Sequence, residues 1–192
     1  MRMAVAERGL MVLDCTVYGK SGHAARNEGE NAIYKALPDI EWFRNYSFPK
    51  VSGFLGPVKM TVTQINAGYQ HNVVPEKCTF VVDVRPNGMY RNPDLLAQIK
   101  EAVNCEVKER STRLESSSIQ MDHPVVKRGF ELGLEAFGSP TTSNCSLCPD
   151  FPTLKIGPGD SARSHSADEY ICPSEIEEGM EIYVRLLKDL QL

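Results

Sequence analysis

The densest run of chemically capable side chains in this sequence is Gly157-Pro158-Gly159-Asp160-Ser161-Ala162-Arg163-Ser164-His165-Ser166-Ala167-Asp168-Glu169-Tyr170. It follows a short apolar run and precedes an amphipathic one, so it falls at the carboxyl end of a strand, where α/β sheets bind ligands. His165 there can serve as a metal ligand, a general base or a plain surface residue. His23, in Ser21-Gly22-His23-Ala24-Ala25-Arg26, is either a donor toward a ligand or part of loop packing. His71 beside Asn72 fits a paired polar contact or an ordinary turn, and His123 before Pro124 fits the start of a helix. Arg85 ends an apolar strand, and its planar fork can grip a carboxylate through two bonds; a structural ion pair is the competing account.

Two further groups carry less. Cys145-Ser146-Leu147-Cys148 has the spacing of half a zinc knuckle or of a redox pair. No second close pair exists to complete a structural zinc site, and Pro149 follows where a thioredoxin-type helix would continue, so free thiols are expected. Glu177-Glu178 are adjacent and do not share a helix face, which makes them a solvated edge.

The elements that must position these residues read as follows. Leu10 to Tyr18 is an apolar, partly alternating strand that stops at Gly19-Lys20-Ser21-Gly22. Asn31 to Tyr46 places Ile33, Ala36, Leu37, Ile40 and Phe43 at helical spacing, with Pro38 predicting a kink or restart. Strands follow at Val58 to Ile65 and Lys77 to Arg85, with a loop from Gly68 to Pro75 between them. Asn92-Pro93-Asp94 opens a helix to Asn104, and Cys105 to Arg110 alternates like an edge strand.

That order, strand-helix-strand-strand-helix-strand, is the split β-α-β ferredoxin-like pattern: one antiparallel sheet with both helices on one face and an open edge that seeks a partner. The remaining stretch predicts a helix from His123-Pro124 carrying Val126, Phe130, Leu132, Leu134 and Phe137. A loop through both cysteines, a strand at Thr153 to Ile156 and a last helix come next. The last helix is expected to start with a Ser174/Glu177 capping box and to turn Ile176, Met180, Tyr183, Leu186, Leu187 and Leu190 inward. One strand cannot cover two helices, so this half reads as part of a larger layer.

Composition sets the outer limits. Of the 192 residues, 42% are hydrophobic and 24% charged, which are globular values and exclude a disordered tail, a collagen-like rod or a membrane protein. The 21 Lys plus Arg against 25 Asp plus Glu give a formal charge of −4, with no basic block to neutralise a phosphate backbone; nucleic acid is not an expected partner. Charges at Arg2, Glu7 and Arg8 fall where an export signal needs an apolar core, and no apolar run approaches the ~18 residues of a membrane span. A cytoplasmic protein with its six cysteines reduced is expected.

Three spaced motifs together resemble a known family. They are Gly9-Leu10-Met11-Val12-Leu13-Asp14 leading to Gly19-Lys20-Ser21-Gly22-His23-Ala24-Ala25-Arg26; His71-Asn72-Val73-Val74-Pro75 leading to Val82-Asp83-Val84-Arg85-Pro86; and Gly157-Pro158-Gly159-Asp160-Ser161-Ala162-Arg163-Ser164-His165 with Asp168-Glu169-Tyr170. In this order they resemble the di-zinc amidohydrolases that include acetylornithine deacetylase, succinyl-diaminopimelate desuccinylase, aminoacylase and carboxypeptidase G.

The resemblance implies an α/β protein: a linker at 1–8, a ferredoxin-like lid or dimerisation domain at 9–113, and the C-terminal part of a catalytic domain at 114–192. It implies hydrolysis of the amide bond of an N-acyl amino acid such as acetylornithine or succinylornithine, a step of arginine biosynthesis, in a homodimer joined through the lid. By the same resemblance His165 binds one of two zinc ions, for which cobalt can substitute. His23 reaches into the partner's active site to polarise the scissile carbonyl. Asn72 and Arg85 seat the substrate carboxylate, and Gly157 and Gly159 shape the loop beside the metals. The family's other ligands, and the general base of its paired Glu-Glu, lie in an N-terminal half with no match in this sequence. One histidine cannot hold two ions 3.5–4 Å apart, so the chain is expected to be inactive alone. Thr142-Ser143-Asn144 also departs from the expected Thr-Ser-Asp. The alternative is a non-catalytic ferredoxin-like dimerisation module.

Overall fold

A computed structural model describes residues 1–26 and 28–191. Its larger sheet has four antiparallel strands, β2 (Met11–Tyr18), β4 (Lys59–Ala67), β6 (Lys77–Arg85) and β7 (Glu106–Glu109), in the spatial order β4-β6-β2-β7. With helices α1 (Ala32–Asn45) and α2 (Asn92–Ala102) in the crossovers, this is the ferredoxin-like arrangement expected. Alternation does the work. Met11, Leu13, Cys15 and Val17 of β2, and Cys78, Phe80, Val82 and Val84 of β6, face the helices and pack with Ala36, Phe43, Leu95 and Ile99, while the intervening residues line the opposite, wetter face. β4 and β7 are the edges.

Local signals set the helix ends. Asn31 accepts the Ile33 amide at 2.9 Å and starts α1. The helix runs unbroken across Pro38, where a kink or restart was expected. The carbonyl left without an amide partner is that of Tyr34, an exposed residue that water can serve. Arg91 gives α2 no side-chain cap; instead both carboxylate oxygens of buried Glu115 lie 3.1 Å from the Asn92 amide. Burial pushes the Glu115 carboxyl up, and that amide and Arg91 pull it back.

The second sheet differs from expectation. Met3–Glu7, assigned above to a linker, is strand β1, buried along its whole length. It pairs in parallel with β9 (Ala136–Ser139) and antiparallel with β8 (Ser117–Ser118). Phe137, assigned to the preceding helix, therefore lies on a strand: α3 (Pro124–Glu131) ends because Gly133 takes a φ of 79°, a turn of backbone that glycine allows. The strand expected at Thr153 to Ile156 is a single bridge, Lys155 to Ala4. Short segments β3 (Gly22–His23) and β5 (Val73–Val74) form a separate antiparallel pair.

The last helix, α4 (Pro173–Leu187), also corrects the reading. It opens at Cys172 and Pro173, and the Cys172 amide donates to Glu175 at 2.8 Å, so Ser174/Glu177 is not its capping box. Leu186 and Gly179 are buried against the body, and the Tyr183 hydroxyl donates to the Ile156 carbonyl at 2.6 Å. Ile176, Met180 and Leu187, expected inside, are exposed together with Val184; no described residue covers that stripe. His123 caps α3, its Nδ1 accepting the Val125 amide at 3.3 Å. No described helix is long and apolar enough to cross a membrane.

Candidate functional site

The chemically capable residues fall into three places. The first is the end of the large sheet where β3 meets β5. His23 lies opposite Val73, and the Ala24 amide donates to the Asn72 carbonyl at 3.0 Å, so this pairing brings His23 and Asn72 together. The imidazole is exposed, and its Nδ1 accepts the Ala25 amide at 3.2 Å. That bond leaves Nε2 free to donate. The side-chain oxygen of Asn72 is buried and has no hydrogen-bond partner among the described residues. An open cleft beside it is lined by Ala24, Asn31, Tyr69, Gln70, His71 and Val73.

The second place is the seam between the two sheets, at the opposite end of β6. Arg85, the last of that strand's nine residues, is gripped by Asp83 through Nε at 2.7 Å and Nη2 at 2.9 Å, and its Nη1 donates to Thr142 Oγ1 at 3.3 Å. Of the two accounts of Arg85, the geometry supports the ion pair. Buried Arg8 ties the seam further: its guanidinium donates to the carbonyls of Pro57 at 2.9 Å and Arg85 at 3.0 Å, and also to Leu55. Beside it lies a cluster that sequence reasoning missed. Glu7 and Ser139 end the parallel strands β1 and β9, both buried, and Lys155 Nζ sits 2.7 Å from Glu7 Oε1. Ser143 Oγ donates to the other oxygen of Glu7. The available signal was an apolar run, Met3-Ala4-Val5-Ala6, closing on an acid at the strand end, where ligands gather.

The third place is the Gly157–Tyr170 loop. His165 is exposed, with a φ of 62°, and its amide donates to Glu169 at 2.9 Å. Gly159 has a φ of 82°, and a Cβ there would lie 3.2 Å from Ile171, whereas one at Gly157 would meet nothing within 4 Å. Arg163 bonds Glu175 at 2.7 Å, and this pair, with the Cys172 amide, holds the Glu175 carboxyl down at about 2. Among the described residues no group of three or more His, Cys, Asp or Glu side chains is gathered closely enough to hold a metal ion. A single catalytic zinc takes three protein ligands, so the residues of this chain do not by themselves fit the two zinc ions that the resemblance implies. All six cysteines are free.

The chain spans about half the length of the curated relatives it matches. It is 23% identical to an acetylornithine deacetylase of Buchnera aphidicola subsp. Schizaphis graminum, covering 98% of this chain and 54% of that one. It is 24% identical to a succinyl-diaminopimelate desuccinylase of Cereibacter sphaeroides, covering 97% and 53%. Among solved structures, the aminopeptidase PepT of Bacillus cereus superposes with a TM-score of 0.73 at 17% identity, over 96% of this chain and 52% of that chain; this likeness is one of fold. The family model described as the peptidase dimerisation domain matches residues 5–111, a span that contains the end of β1, the whole four-stranded sheet and both of its helices. By that match, over more than half of its residues, the chain belongs to the M20 peptidase dimerisation-domain family.

Proposed function

We propose that this chain is the lid and C-terminal catalytic part of an amidohydrolase that removes an acetyl or succinyl group from an N-acyl amino acid such as acetylornithine or succinylornithine. The observation that carries this reading is a separation. His23 and Asn72 lie together at one end of the large sheet, while Arg85 lies at the other, beside the second sheet. The nine residues of β6 alone span roughly 30 Å. No single small substrate bridges that distance, so the two ends serve one reaction only if a second copy brings its lid end to the first copy's seam. An open β4 edge and a domain of dimerising type support such a homodimer.

In this arrangement exposed His23 offers Nε2 to the scissile carbonyl oxygen, where charge develops in the tetrahedral intermediate. Asn72 seats the substrate: its unpaired acceptor asks for a donor, and the substrate amide N–H is one. Arg85 keeps two N–H donors beyond those given to Asp83 and Thr142 and offers them to the carboxylate at the seam. Gly157 and Gly159 keep the third loop free of side chains, and His165 contributes one imidazole toward a metal. The described residues gather no complete metal site, so in this reading the polypeptide alone is inactive, and no metal-dependent step is assigned to it. Six free thiols suit a reducing cytoplasm.

The test is complementation. In protein expressed from the full reading frame, His23→Ala and His165→Ala are each expected to abolish hydrolysis of acetylornithine and succinylornithine. Mixing the two variants after dissociation should restore about a quarter of wild-type turnover, because half the dimers are mixed and one of their two sites is intact. No recovery in verified mixed dimers would rule out the shared site and favour a non-catalytic dimerising module.

A further inference from the structure

We propose that the ammonium of Lys155 is a built-in cation that neutralises Glu7 at the carboxyl end of β1, so that this carboxylate is not a metal ligand in this chain. Glu7 sits where the parallel pair β1 and β9 ends, the pole at which an α/β sheet usually presents ligating groups. Its side chain is 4% exposed, and a carboxylate that deep must be paired. Both oxygens are already taken: Oε1 lies 2.7 Å from Lys155 Nζ, and Oε2 accepts Ser143 Oγ.

The lysine is as fully used as the acid. An ammonium has three donors. Lys155 spends one on Glu7, one on Thr141 Oγ1 at 3.1 Å and one on Ser139 Oγ at 3.2 Å. No donor is left to hold a substrate anion, and no lone pair of Nζ is free to act as a base. Ser139 in turn lies 3.0 Å from Thr141 Oγ1, which closes a ring of hydroxyls around the ion pair. A divalent ion could reach Glu7 only by displacing Lys155. It would then find one carboxylate among hydroxyls, since no described cluster supplies two further His, Cys, Asp or Glu ligands.

This inference goes beyond the proposed hydrolase activity, and its test does not read turnover. Zinc uptake and thermal stability are measured on the purified chain for wild type, Glu7→Gln, Lys155→Met and the double variant. Glu7→Gln is expected to leave zinc uptake unchanged. Lys155→Met should lower Tm by roughly 10 °C, because it strands a buried charge. Adding Glu7→Gln to Lys155→Met should recover at least half of that loss, since the double variant holds no orphaned ion. Zinc uptake that falls in Glu7→Gln would overturn the proposal. So would a Lys155→Met chain as stable as wild type, or a double variant no more stable than Lys155→Met.

Discussion

Asp83 and Arg85 stand two residues apart on β6 and meet fork to fork, at 2.7 and 2.9 Å. Alternate residues of a strand share a face, so the pairing is dictated by their spacing. It also sets the direction of Arg85, whose remaining nitrogen reaches Thr142 across the seam. Asp83→Asn keeps the shape and removes the charge. The pair is about seven-tenths buried, and its loss is expected to cost about 1 kcal/mol, seen as a Tm roughly 3 °C lower. In the full protein the same change frees Arg85 to swing, so KM should rise while kcat holds. A lower kcat at constant KM would count against a seating role.

Asp39 is the less obvious keystone of the four-stranded sheet and its helices. Buried on α1, it accepts the backbone amides of Asn104 at 3.0 Å and Cys105 at 2.8 Å, where the chain leaves α2 for β7. Asp39→Ala would orphan two amides and is expected to cost about 3 kcal/mol, a fall in Tm of roughly 9 °C. Asp39→Asn, which retains one acceptor, should lose less than half as much. Equal losses in the two variants would show that packing, not hydrogen bonding, holds the junction.

These two examples mark where the sequence is informative. β2, β6 and α1 were legible because alternation and helical spacing are local signals, each contained within a dozen residues. β9 was not. Ala136-Phe137-Gly138-Ser139 has no alternation, its partner β1 lies some 130 residues earlier, and Phe130, Leu134 and Phe137 mimic a continuing helix through Gly133. The start of α4 was visible in Pro173, which suits a first helical position, yet Ser174 and Glu177 offered a competing pattern. The site divided the same way. His23 and His165 stood out by their motifs, whereas Glu7 and Lys155, 148 residues apart, meet only through the pairing of Ala4 with Lys155.

Gly138 sets how closely the Phe54 loop sits on the second sheet. A Cβ there would lie 2.1 Å from the carbonyl oxygen of Phe54 and 2.7 Å from its carbon, both backbone atoms that cannot rotate aside. Gly138→Ala is expected to push the Phe54 loop off β9, at about 2–3 kcal/mol. It should also open that loop to thermolysin. Gly53→Ala, one residue away from Phe54 with nothing within 4 Å of its Cβ, should leave Tm within about 2 °C of wild type. An uncut Gly138→Ala chain with unchanged Tm would mean that the side chains of Arg8 and Asn87, not the close approach at Gly138, hold the loop.

Acid should weaken the hold of the third loop on α4. Arg163 and the Cys172 amide hold Glu175 at about 2 in the folded chain, against an ordinary 4.5. A depressed carboxyl stabilises the fold fully above its unfolded value, and that contribution drains away as pH falls from about 4.5 toward 2. The wild-type advantage over Glu175→Gln should therefore be constant above pH 5.5, shrink through pH 3 and vanish near pH 2. Salt should reduce it, because the pair is on the surface. Melting curves of both chains across this range supply the comparison, and carboxyl NMR of Glu175 gives the titration directly. A midpoint near the ordinary value would show that Arg163 does not hold Glu175 in solution. The loop carrying His165 would then have lost its anchor to the first turn of α4.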